Sequence, residues 1–274
     1  MISCRCMDRR VTCVFVFQRL ALSSKYYPNN YIEPDIFFNY HAMTIHDELS
    51  REQRLLASAA AFAVFFLLVA YVVTLVLGFL SLQSPLDPIG DPYFSVLELL
   101  IVVMAPLMVL VMAAVHIYTP PSTRMYSLCA LAFMTIMAAI TAGVHFVILT
   151  VSRPLASAGF PWGIQFFSFV WPSVVYALDI LAWDLFFGLS MLFASLVFLE
   201  GRLERILAIL MILSGVLSLA GLAGVYLSDM GIRNIGIMGY AGVSMPVFLL
   251  LGFLFRRAPQ EEPHLDTGTP LKPR

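Results

Sequence analysis

Six long apolar blocks, each parted from the next by a short polar break, constrain this chain more than any single motif does. They lie near residues 55–82, 94–118, 124–151, 173–199, 204–228 and 234–255. At about 1.5 Å of rise per helical residue, each can cross a hydrocarbon layer of roughly 30 Å. Inside such a layer the backbone finds no water, so a spanning block has to be a helix that closes its own hydrogen bonds. The breaks carry turn chemistry: "QSPLDPIGDP" follows the first block, "TPPSTR" the second, "EGRLER" the fourth and "SDMGIRN" the fifth. Breaks this short make successive helices antiparallel neighbours. The expected fold is an all-α integral membrane protein, a six-span transmembrane helix bundle over residues 55–257.

Composition narrows the function. Of 274 residues, 60% are hydrophobic and 12% charged, against about 25% charged in an ordinary soluble domain. No basic patch with interleaved aromatics supports nucleic-acid binding. The two lysines, Lys25 and Lys272, sit in terminal segments, which excludes a retinal Schiff base within the membrane. Cys4, Cys6 and Cys13 precede the bundle and Cys129 lies inside an apolar block, a pattern that gives neither a disulfide framework nor a zinc site. His116 and His145 fall at opposite ends of their spans, so they cannot hold a haem between them. HExxH, GxSxG and phosphate-binding-loop motifs do not occur. No metal and no cofactor is expected. The expected partners are the lipid bilayer and a small-molecule or lipid ligand.

Orientation follows from the basic residues flanking the spans. Arg51, Arg54, Arg124, Arg202, Arg205, Arg256, Arg257, Lys272 and Arg274 fall on one side, Arg153 and Arg233 on the other. That division puts both termini in the cytoplasm and makes the plasma (inner) membrane the expected location. Residues 1–42 lack helical periodicity, and their apolar run "VTCVFVF" is too short for a signal peptide. Either translation begins at Met43, with 43–54 a short cytoplasmic leader, or the basic start is an organellar transit peptide or a plain extension. The proline-rich polar stretch 258–274 has the composition of a disordered cytoplasmic tail.

The polar groups inside the spans point to a site. "YALDILAWDLFFG" places Asp179 and Asp184 within the fourth block, although a charged residue at a helix centre costs about 2.5–3.5 kcal/mol on insertion scales. At 100° per residue, Tyr176, Asp179 and Trp183 share one face, and Asp184 lies on nearly the opposite one. A helix with two polar faces belongs in the middle of the bundle. Depth counting brings Glu98, His145 and Asp179, from three helices, to a similar level in the non-cytoplasmic half, with Thr141 one turn below His145. Asp229, Arg233 and Asn234 are expected at the outer rim, and Asp184 near the midplane, held neutral or tightly hydrogen-bonded. Glu98, His145, Asp179, Asp184, Tyr176 and Arg233 are therefore the candidate ligand- or proton-binding residues. The aromatic stretch 153–173, with Trp162 and Trp171, is either an interfacial belt or a lid over them. Pro106 and Pro246 predict kinks, and the small-residue rows "SGVLSLAGLAG" and "GIMGYAG" predict close helix packing.

Three functions fit. The first is binding or transport of a small cationic or amphipathic ligand through the acidic and histidine site. The second is a lipid-directed enzyme with His145 and Asp179 as acid and base. The third is a membrane scaffold that needs no ligand. The sequence does not decide whether the protein is an enzyme.

Overall fold

The structure is a computed structural model and describes residues 49–84, 89–152, 159, 163–198 and 201–257. The expectations for residues 1–42 and 258–274, and for Trp162, fall outside the described residues. Those described are helical throughout their regular elements, with no strand among them. Six helices are long and apolar enough to cross a membrane: α1 (Arg51–Leu80), α2 (Tyr93–Tyr118), α3 (Arg124–Ser152), α4 (Val174–Ser195), α5 (Arg202–Leu227) and α6 (Met230–Arg256). The described residues form a bundle of six helices with the length and apolarity of membrane spans.

Local chemistry sets the helix ends. Ser50 and Gln53 form a reciprocal cap at the start of α1: the Gln53 amide donates to Ser50 Oγ at 3.2 Å and the Ser50 amide to Gln53 Oε1 at 2.8 Å. Helix α5 stops at Ser228, whose φ of 56° places it in the left-handed region. The next residue, Asp229, caps α6 by accepting from the Gly231 and Ile232 amides at 2.8 and 3.3 Å. Because that cap starts α6 at Met230, four residues before the expected boundary, Arg233 lies one turn inside the helix.

Each helix packs on its successor, and α6 closes the ring against α1. Burial is deepest in α4, where 56% of the best apolar window is buried, and shallowest in α1, at 22%; the polar-faced fourth helix is the most enclosed. Methionines on four helices, among them Met104, Met134, Met191 and Met211, fill the centre with flexible side chains suited to irregular gaps. Hydroxyls bond the helices across their seams: Ser58 donates to the Gly252 carbonyl at 2.9 Å, Ser190 to that of Ala130 at 2.7 Å and Ser214 to that of Gly239 at 2.9 Å. Each such bond contributes about 0.6 kcal/mol in a membrane setting.

The small-residue rows do what their composition predicts. A Cβ on Gly215 would meet the Gly188 carbonyl oxygen at 2.7 Å, and one on Gly239 the Ser214 carbonyl oxygen at 2.6 Å. The first contact brings α5 against α4 and the second brings it against α6.

Three stretches are wound as π turns: Ile148–Ser152 in α3, Leu181–Phe187 in α4 and Met238–Val243 in α6. The last ends with the Ser244 amide donating to the Gly239 carbonyl, five residues back. Pro246 follows directly, and its ring excludes the regular bond to Gly242. The kink predicted there takes the form of an inserted residue in the ladder.

Candidate functional site

The ionisable groups of α2, α3, α4 and α6 meet in one buried cluster. Counted along their helices, they lie roughly 5–15 Å from the ends opposite the arginine-rich turns. His145 is 3% exposed and is held from both sides: its Nδ1 is 2.6 Å from Glu98 Oε2 and its Nε2 is 3.3 Å from Asp179 Oδ1. Thr141, one turn earlier on α3, approaches the same Asp179 oxygen at 3.5 Å. The second Asp179 oxygen faces Arg233 Nη2 at 4.0 Å, and Arg233 Nε lies 3.5 Å from Asp184 Oδ2. The groups thus alternate in sign along a chain from Glu98 through His145, Asp179 and Arg233 to Asp184.

Two expectations are corrected. Arg233 is not at the rim; it is 3% exposed, while its neighbours Asp229 and Asn234 remain exposed. The one-turn displacement set by the Asp229 cap points the arginine inward. Asp184 does not face away from Asp179. On a regular α-helix five residues turn the chain through 500°, leaving the two about 140° apart. The π turn over Leu181–Phe187 carries an extra residue per turn and so reduces that angle, and both carboxylates face the same arginine. Among the described residues no hydroxyl bonds to Asp184; its nearest charged partner is Arg233.

Aromatic rings enclose the arginine. Its guanidinium carbon lies 5.2 Å from the Tyr176 ring centre and 5.8 Å from that of Tyr240, both within cation–π range. Trp183 packs tilted against Tyr240 with 5.1 Å between centres. Tyr71 of α1 lies within electrostatic reach of Glu98, Asp179 and Arg233. Sequence reasoning missed Tyr71 and Tyr240. The available signal was weak: each is a polar-tipped ring within an apolar span, and membrane helices contain many such residues.

Residues 163–173, the continuous described part of the stretch before α4, reach this cluster. Ser152 donates to the Phe167 carbonyl at 2.7 Å, and the Ser173 hydroxyl bonds the Ser168 carbonyl, so the segment is tied at both ends. Phe169 packs on His145 with 5.3 Å between ring centres, and Trp171 meets Tyr176 at 6.3 Å. The lid candidate Trp171 is therefore at the cluster, but the ring that covers the histidine belongs to Phe169. His116 is remote, at the other end of α2, with Nδ1 2.8 Å from Ser127 Oγ.

Fold and cluster together define a class: a bundle of six apolar, span-length helices with a charged network enclosed in one half. Neither a family model, nor a curated protein, nor a solved structure matches the chain.

Proposed function

We propose that this protein binds a small cationic or amphipathic ligand in the non-cytoplasmic half of its bundle and carries it across the membrane in a proton-coupled step. The observation that carries this reading is the cluster of paired ionisable groups. Glu98, Asp179 and Asp184 supply three carboxyl groups against one imidazole and one guanidinium. Among the described residues these groups lie within ion-pair reach of one another, in a setting where uncompensated charge is expensive. Gain or loss of a proton there changes the balance that a ligand cation meets. Intramembrane ionisable groups that pair with one another typically mark ion and substrate pathways.

The chain runs with both termini cytoplasmic, in the plasma (inner) membrane. Burial of Arg233 supports this orientation, because it leaves Arg153 as the only basic residue flanking the spans on the far side. In this reading Phe169 and Trp171 form the lid: the Phe169 ring must shift before His145, buried beneath it, meets the outer solution.

The test is solid-supported membrane electrophysiology on proteoliposomes. The panel comprises sodium, choline, tetramethylammonium, ethidium and methylguanidinium, each with and without a proton gradient. Expected are currents that depend on the proton gradient and disappear in Asp179→Asn. If no probe gives a current, or if a folded Asp179→Asn matches the parent, the network serves only to hold four helices together.

A further inference from the structure

The contacts of Arg233 are those of an ill-fitting occupant. Charge-assisted N–H···O bonds have lengths of about 2.7–2.9 Å, yet the guanidinium stands 3.5 Å from Asp184 and 4.0 Å from Asp179. Its Nε and Nη2 and both Asp184 oxygens are fully buried without a hydrogen-bond partner in the protein. Arg233 is anchored where α6 crosses α5: a Cβ on Gly224 would be 2.2 Å from the Arg233 amide nitrogen. The surroundings, by contrast, are chemically complete for a cation: two carboxylates between two tyrosine rings.

We propose that the setting formed by Asp184, Asp179, Tyr176 and Tyr240 is a ligand subsite for an organic cation with a planar guanidinium or amidinium head. Arg233 is its tethered internal competitor. The ligand takes Asp184 with two parallel N–H···O bonds, and Arg233 withdraws to Asp179. An anion would meet the carboxylates of Asp179 and Asp184 and be repelled. This proposal rests on the binding reading above and names its substrate class.

Trp183, packed on Tyr240, and Trp171, in contact with Tyr176, provide the readout. The full chain in detergent is titrated with methylguanidinium chloride at constant ionic strength. Urea serves as the neutral isostere and tetramethylammonium as a cation without N–H groups. Expected is a saturable change in tryptophan emission with methylguanidinium alone. Affinity should fall about tenfold or more in Asp184→Asn, and by a similar factor in Tyr240→Leu. It should rise about tenfold in Arg233→Gln, which removes the competitor and its charge. Should Arg233→Gln not fold, Arg233→Lys gives the same direction, because an ammonium cannot bond Asp184 in two places. Absence of saturable binding, binding unchanged by Asp184→Asn, or weaker binding in a folded Arg233 variant overturns the proposal. Proton-dependent currents lost in Asp179→Asn, alongside any of those results, would leave the proposed function standing without this ligand; absence of both would remove both.

Discussion

The contact between α5 and α6 can be tested by adding one methyl group. In Gly224→Ala the new Cβ would lie 2.2 Å from the Arg233 amide nitrogen, 2.6 Å from the Asp229 carbonyl oxygen and 2.7 Å from the Arg233 Cα. All three are backbone atoms of the turn that starts α6, so no side-chain rotation relieves the clash. Reaching ordinary contact at 3.4 Å requires the helices to part by 3.4 − 2.2, or 1.2 Å. Overpacking of this kind costs about 1–3 kcal/mol, and a rigid backbone clash belongs at the upper end. Exchanging glycine for alanine inside a helix returns about 1 kcal/mol. The net is a destabilisation of about 2 kcal/mol, or a melting temperature lower by roughly 4–8 °C for a chain of this size. Gly143→Ala is the matched control, since that position is exposed and a Cβ there meets nothing within 4 Å; it should melt at or slightly above the parent. The assay is thermal unfolding of both variants in one detergent, followed by circular dichroism. A Gly224→Ala protein as stable as the parent, or a Gly143→Ala protein equally destabilised, refutes the reasoning.

Three further outcomes are expected. Arg233→Met leaves Asp179 and Asp184 without the cation they share and should cost about 3 kcal/mol in thermal unfolding; adding Asp184→Leu should recover part of it, and a double variant as unstable as the single one would show that the pair is not the cause. Phe169→Ala uncovers His145, so carbethoxylation of that histidine, followed by peptide mass spectrometry, should become several-fold faster than in the parent, with His116 unchanged; an unchanged His145 rate would mean that Phe169 is no cover. Topology tags at the N-terminus, at 202–205 and at the C-terminus should all report the cytoplasm, and a tag near Ser157 the opposite side; a cytoplasmic Ser157 would invert the orientation.

What the sequence determined by itself is the part governed by length and polarity. Six apolar blocks of spanning length leave a helical bundle as the available solution, because backbone groups in hydrocarbon have to be satisfied within each segment. Counting residues from the breaks also placed Glu98, His145 and Asp179 at a common level, since helical rise converts sequence distance into depth. The lateral arrangement was not legible in the same way. Assigning Asp184 to the far face assumed one uniform turn angle, and the π turn over Leu181–Phe187 removes that assumption. Arg233 was taken for a rim residue because the apolar block begins only at residue 234, although Asp229, a capping residue type, starts the helix a turn earlier. Tyr240 and Phe169 join the cluster through contacts with other segments, and a periodicity along one helix carries no information about which neighbour it meets. Depth is a property of each segment, whereas the meeting of Arg233 with Asp184 was decided by the packing of α6 against the rest of the bundle.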